Sequence, residues 1–224
     1  MSTRPRLLDL FCGAGGAAVG YHRAGFDVVG VDNRRQPHYP YEFHEGDALE
    51  ALAQYGWIFD AVHASPPCQS YSATRTLHTA HYPDLVDRTR ERLEAAGVTW
   101  VIENVQGAPL RNAVTLCGSS FGLGVRRHRL FETSWPIALA PPCAHYLQPE
   151  PLDVTGTGGP RLDGQRADTL GGIHRKPRNL TEARAAMRIG WMSRVELSEA
   201  VPPQYTEWLG GELLTELERG AVVT

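Results

Sequence analysis

The chain has 224 residues, 42% of them hydrophobic and 21% charged, with a net charge of −3. That length suits one α/β domain with a small insert, and no apolar run approaches a membrane span, which argues against a membrane protein. Arg4-Pro5-Arg6 leads straight into a strand-like run without a secretory apolar core, and four cysteines without paired spacing (Cys12, Cys68, Cys117, Cys143) suit a reducing, cytoplasmic setting.

Arg6 to Phe11 reads as a first strand, Cys12-Gly13-Ala14-Gly15-Gly16 as a tight glycine turn and Ala17 to Ala24 as a helix. Gly25 to Asn33 then reads as a second strand, ending in the acid Asp32. Strand, glycine turn, helix, strand and acid form the first half of a dinucleotide-type βαβ unit. Asp32 lies roughly twenty residues beyond the turn, where a carboxylate can accept both hydroxyls of a ribose. Asp47 stands at a third strand end. It either accepts a hydrogen bond from an exocyclic amine or caps a short helix that opens at Ala48 and runs to Tyr55.

Ile58 to Val62 is apolar and β-prone, and Pro66-Pro67 forbid any continuation of the ladder. Cys68 therefore falls just past the carboxyl end of a central strand, where open α/β sheets place their chemistry. Most intracellular cysteines are small buried hydrophobes, but one held in a Pro-Pro-Cys-Gln-Ser turn among polar groups also suits a nucleophile. Gln69 to Ala80 is polar and reads as a mobile loop, and Tyr82 to Gly97 as an amphipathic helix. Val98 to Val105 reads as a buried strand with Glu103 near its carboxyl end. An acid in apolar surroundings has a raised pKa and can donate a proton; the alternative is a salt bridge to a nearby arginine.

Thr115 to Gly118 and Val125 to Glu132 follow, and alternation sets Arg127 and Arg129 on one face of a strand, where they need acids or phosphates. From Ser134 to Pro177 the composition shifts to proline, glycine and polar residues, a small loop-rich insert. Cys117, Cys143, His145 and His174 can be combined into a zinc site on paper, but no Cys-x-x-Cys spacing supports it, so no metal is expected. Arg161 to Arg194 carries eight basic and three acidic residues, which a solvated face explains as readily as a nucleic-acid contact. Asn179 to Ile189 resumes helical periodicity, and Ser193-Arg194-Val195-Glu196 is a capping box. Tyr205, Trp208, Leu209, Leu213 and Leu217 form the core-facing stripe of a last helix.

Taken in order, Asp9-Leu10-Phe11-Cys12-Gly13-Ala14-Gly15-Gly16, Pro66-Pro67-Cys68-Gln69, Glu103-Asn104-Val105 and Arg127-His128-Arg129 resemble the cytosine-C5 DNA methyltransferase family. The resemblance implies a Rossmann-like, S-adenosylmethionine (SAM)-dependent methyltransferase fold: a mixed, mostly parallel sheet flanked by helices. Residues 1–132 and 179–224 would form the catalytic domain, and 133–178 a small insert in place of a larger target-recognition domain. It implies SAM as donor, S-adenosylhomocysteine as product, no metal, and a flipped cytosine in double-stranded DNA bound by a monomer, in a restriction-modification setting. It assigns Phe11 and the glycine turn to the methionine side of the cofactor, Asp32 to the ribose and Asp47 to the adenine. Asp9, Cys12, Ala14, Asn33, Ala48 and Pro66 join the cofactor contacts. Cys68 carries over as nucleophile, Glu103 as the acid at the cytosine ring nitrogen, and Arg127 and Arg129 as residues that hold the base and brace the site.

The chain departs from the family pattern at Val125, where a glutamine is usual, and at Ser198-Glu199-Ala200-Val201, where Gly-Asn-Ser-Val is usual. An insert so short and glycine-rich offers few rigid side chains to read base edges, so short or relaxed sequence specificity is expected. Two other readings compete: cytosine methylation on RNA or free nucleotide, and a DNA-binding half-enzyme that needs a partner chain.

Overall fold

The computed structural model describes residues 4–67, 85–155, 165–167 and 173–223. At its centre is β1 (Arg6–Leu10), whose Leu7, Leu8 and Leu10 are all buried, the continuous apolar run of a strand covered on both faces. It pairs in parallel with β2 (Asp27–Asp32) on one side and β4 (Ala61–Ala64) on the other. With β3 (Glu42–Glu45), β5 (Thr99–Asn104), β6 (Val114–Leu116) and β7 (Arg129–Thr133) the sheet runs β3-β2-β1-β4-β5-β7-β6. The first five strands are parallel, and β7 runs antiparallel to both β5 and β6. This is the expected mixed, mostly parallel α/β sheet.

Strand order reverses between β1 and β4, and Leu10 is in register with Ala64. The turn after β1 and the loop after β4 therefore leave the sheet side by side, at the crevice where open α/β sheets bind ligands. Apolar residues form one cluster on each face. One gathers Leu7, Tyr21, Phe26, Tyr205 and Leu209 beneath α1 (Gly16–Ala24) and α6 (Pro203–Val223). The other gathers Leu8, Leu10, Leu52 and Leu93 beneath α2 (Ala48–Tyr55) and α3 (Val86–Ala96). The α6 stripe is core packing: Tyr205, Leu209 and Leu213 are fully buried, and Trp208 and Leu217 pack against the same cluster.

Two local expectations are corrected. The segment from Ile58 does not open a strand, because Gly56–Ile58 forms a 3-10 turn. The Asp60 carboxylate accepts the Arg6 N–H at 2.7 Å, and ladder pairing starts only at Ala61. Arg127 and Arg129 do not share a strand face either. Arg127 lies before β7 with φ at 21°, and β7 begins at Arg129.

Between residues 134 and 151 the chain forms a 3-10 turn, His145–Leu147, and neither strand nor α-helix. Trp135, Leu152 and Val154 nevertheless join the α1/α6 cluster. Beyond it, β8 (Gln165–Ala167) and β9 (Ile173–Arg175) form an antiparallel pair. Several of the described basic residues of this region are paired within the fold. Arg175 pairs with Glu182 and Lys176 with Asp153, while Arg184 and Arg188 donate to the carbonyls of Met192 and Gly122. In α4 (Leu180–Met187) Asn179 caps the Glu182 N–H, and α5 (Arg194–Glu199) opens with both halves of the Ser193/Glu196 capping box. Among the described residues no helix is long and apolar enough to cross a membrane.

Candidate active site

The glycine turn begins with a non-glycine residue in the left-handed region, Phe11 at φ 55°, a conformation that concentrates at functional sites. Gly13 follows at φ 49°, with nothing within 4 Å of where a Cβ would stand. Its neighbours are fixed by packing instead. A Cβ on Gly15, at φ 79°, would meet Pro40 Cδ at 2.7 Å, and one on Gly16 would meet the Val201 carbonyl oxygen at 2.3 Å. Gly13 is thus the glycine whose open face can admit a ligand to the backbone.

Asp32 ends β2 and ties the turn down: one carboxylate oxygen accepts the Gly13 N–H at 3.1 Å and the other the Arg34 N–H at 3.1 Å. Asn33 is exposed beside it. Asp47 is the α2 N-cap, with Oδ1 accepting both the Leu49 and Glu50 N–H groups at 2.8 and 2.9 Å, and Ala48 is buried behind it. The capping alternative is what the fold uses, and it leaves Asp47 Oδ2 outside those bonds. Cys12 is buried, its N–H bonded to the Val31 carbonyl and its thiol pushed up by burial; Ala14 is buried and accepts the Trp191 indole N–H at 2.9 Å.

Asp9 is buried in β1, and its Oδ1 has no hydrogen-bond partner among the described residues, while Oδ2 accepts Tyr39 Oη at 3.3 Å. Burial pushes its carboxyl well up, against the Tyr39 bond and with help from Asp32 and Glu103. A buried orphan oxygen on the strand that leads into an open glycine fits a ligand that brings a hydrogen-bond donor or positive charge, as the amino group and sulfonium of SAM do.

Glu103 lies at the carboxyl end of β5, 5% exposed, with Oε1 3.0 Å from Arg129 Nε in an off-axis ion pair. Burial raises its pKa, opposed by Arg129, by a hydrogen bond from Ser65 and by Arg127. Both sequence alternatives hold together: Glu103 is salt-bridged, and burial still favours its protonated form. Arg127 points elsewhere. Its Nε and Nη2 donate to the carbonyls of Ala200 and Ser198, both at 2.8 Å, and its own carbonyl accepts Tyr205 Oη at 2.7 Å.

Cys68 and the loop after it lie outside the described residues. The approach to Cys68 is described: Pro66 is buried, and its carbonyl accepts Asn104 Nδ2 at 3.0 Å, while Asn104 Oδ1 accepts the Val105 N–H at 2.9 Å. Asn104 thus pins the start of the cysteine loop to the strand that carries Glu103.

Several residues here escape sequence reasoning. Tyr39 packs over Gly15 and Gly30; a Cβ on Gly30 would come within 2.3 Å of its ring, which explains a glycine inside β2. His63, fully buried, bridges Tyr21 Oη and Ser65 Oγ at 3.0 Å each, and Ser65 bonds Glu103. Burial lowers the His63 pKa to about 3, so the imidazole is a neutral relay beneath the acid. A histidine inside the apolar run Ala61-Val62-His63-Ala64 was the available signal. Arg90 and Glu132 form a buried bidentate pair at 2.7 and 2.8 Å behind the site.

The model of the family described as C-5 cytosine-specific DNA methylase matches residues 5–82. Type II methyltransferase M.XorII of Xanthomonas oryzae pv. oryzae is 31% identical over 123 residues, which cover 47% of this chain and 29% of that protein. Type II methyltransferase M.HgiDI of Herpetosiphon aurantiacus is 33% identical over 79 residues, 30% of this chain and 26% of that protein. The chain therefore spans less than a third of the length of these two relatives. Among solved structures, a candidate DNA modification methyltransferase encoded within an E. coli prophage superposes with a TM-score of 0.60 at 17% identity, covering 96% of this chain and 99% of that one. The S. pombe Dnmt2 methyltransferase superposes with a TM-score of 0.54 at 13% identity, with the same coverage. At such identities the likeness is one of fold, and the fold is that of a Rossmann-like methyltransferase. Residues 5–82, the stretch that matches the C-5 cytosine-specific DNA methylase model, carry Asp9, the glycine turn, Asp32, Asp47 and Cys68.

Proposed function

We propose that the chain methylates C5 of a flipped cytosine in double-stranded DNA, with Cys68 as nucleophile and SAM as methyl donor. The observation that carries the reading is the buried Glu103, raised in pKa and held by Arg129 and Ser65, on the strand whose next residue bonds Pro66, two residues before Cys68. SAM, when bound, supplies an electrophilic methyl on a sulfonium; Asp9, the open face of Gly13, Asp32 and Asp47 are the residues that would hold it.

The Cys68 thiolate adds to C6 of the ring, and the electron pair of the C5–C6 double bond is pushed toward C5 and the ring nitrogen. Glu103 gives that nitrogen a proton or a strong hydrogen bond, which the burial that raises its pKa favours. Arg129 orients the Glu103 carboxyl, and Arg127 braces the C-terminal segment against the site. Once C5 carries the transferred methyl group, loss of the C5 proton expels the Cys68 thiolate from C6 and restores the aromatic ring. The small insert supports a short or relaxed recognition sequence, which a methylation map showing a long, strictly read site would contradict.

A 5-fluorocytosine duplex tests this, because fluorine at C5 blocks the elimination and leaves the adduct in place. Incubated with SAM, the protein should form a complex that survives denaturation, and Cys68→Ala should form none. A trapped complex with Cys68→Ala overturns the nucleophile assignment. Trapping on transfer RNA or on a free cytidine nucleotide, but not on duplex DNA, overturns the substrate. Glu103→Gln should slow transfer by about 10²- to 10⁴-fold.

A further inference from the structure

Four side chains from three separate segments converge beside the arginine loop. Cys117 follows β6, His128 stands between Arg127 and Arg129, and Cys143 and His145 lie in the segment after β7. Their ligand atoms, two sulfurs and two ring nitrogens, all fall within 4.8 Å of one another. Cys117 Sγ is 3.3 Å from His145 Nε2, and Cys143 Sγ is 3.5 Å from His128 Nε2. A tetrahedral zinc ion with Zn–S near 2.3 Å and Zn–N near 2.0–2.1 Å sets its sulfur and nitrogen ligands about 3.5 Å apart, so both contacts already match the edges of that tetrahedron.

We propose that Cys117, His128, Cys143 and His145 bind one zinc ion in a closed, structural Cys2His2 site. The sequence reading reached three of the four but paired them with His174; the fold supplies His128 instead, from a position that sequence spacing could not connect to Cys143 and His145. The two imidazoles meet edge to face with centroids 5.2 Å apart, so each can present a nitrogen to a shared centre. Ser119 provides outer support: its hydroxyl lies 3.1 Å from Cys117 Sγ and accepts the Ala144 N–H at 3.0 Å, joining the two segments that carry cysteine ligands. The Cys117 thiol donates to the Arg126 carbonyl at 2.8 Å.

The site meets a structural need. The segment from residue 134 to 151 has neither strand nor α-helix and exposes Leu139, Tyr146 and Leu147, so it gains little from burial of its own. A metal clip would fix it to β6 and to His128. Because His128 is flanked by Arg127 and Arg129, the same clip would set the backbone that aims both arginines.

The inference is independent of methyl transfer, and metal content tests it. The full chain expressed with zinc and purified without chelators should carry about one zinc per molecule. Cys143→Ser and His145→Ala should each fall below about a tenth of that, while His145→Cys, which restores a ligand, should keep it. Cobalt loaded into the wild-type protein should show the intense visible bands of a tetrahedral ion and charge transfer from two thiolates, a readout that needs no variant to fold. Folded wild-type protein that takes up no zinc or cobalt overturns the site, as does a Cys117–Cys143 disulfide in the reduced preparation or full zinc content in Cys143→Ser.

Discussion

From β1 to β4 the structure is held by close packing onto bare glycine backbone. A Cβ on Gly20 would strike Thr206 Oγ1 at 2.0 Å, one on Gly16 the Val201 carbonyl, and one on Gly210 the Ala24 side chain at 2.5 Å. Across β5 the means change to charge: Arg90 is clamped in both Glu132 oxygens, Arg129 faces Glu103, and Arg127 bridges two carbonyls of the C-terminal segment. The parallel half takes its precision from the absence of side chains, and the antiparallel half from side chains whose charges must be answered. The cofactor residues assigned by resemblance fall mostly in the first half, while Glu103 and both arginines fall in the second.

The contrast is broken most severely by removing one member of the buried pair. Glu132→Ala takes from the Arg90 guanidinium, 2% exposed, its buried carboxylate partner and from the Arg111 N–H its acceptor, and should cost about 3–5 kcal/mol in urea unfolding. Asp87→Ala removes the exposed partner of the same arginine and should cost no more than about 1 kcal/mol, so equal losses would refute the dependence on burial. In the parallel half, Gly16→Ala forces Val201 away from the turn and should cost about 1–3 kcal/mol without altering the salt dependence of stability.

The finest test concerns Asp9, the buried acid of the parallel half. Its folded pKa is raised by burial, so its contribution to stability is fully present below the unfolded carboxylate pKa and is lost as pH rises through the folded value. Asp9→Asn does not titrate there. Its stability relative to wild type should climb with pH across that window, by at most about 1.4 kcal/mol per pH unit, as read from urea midpoints. A difference that stays flat with pH would mean that Asp9 is compensated within the fold.

The same division governs what could be read from sequence. Strand, turn and helix in the first half announce themselves through apolar runs, glycine and spacing, and β1, α1 and β2 lie within a residue or two of expectation. The capping box at Ser193 and the apolar stripe of α6 were legible for the same reason: local patterns are written locally. Arg127 was misread as a strand residue because alternation cannot reveal that a side chain turns to carbonyls more than 70 positions away. His63, Tyr39, Asn104 and Arg90 were missed because each acts through a partner in another segment. The departure from the family pattern at Ser198 to Val201 has a physical explanation, since that stretch touches Arg127 and Gly16 through its backbone carbonyls, which any side chain supplies.

The glycine turn also depends on residues made much later. Trp191 holds the Ala14 carbonyl, Val201 abuts Gly16, and Thr206 Oγ1 donates to the Ala17 carbonyl at 2.8 Å. On a ribosome the strand and helix around the turn emerge well before those three residues exist, so the crevice cannot acquire its final shape until they have followed. The proposed nucleoside ligand should therefore bind a nascent chain only once α6 clears the exit tunnel and docks.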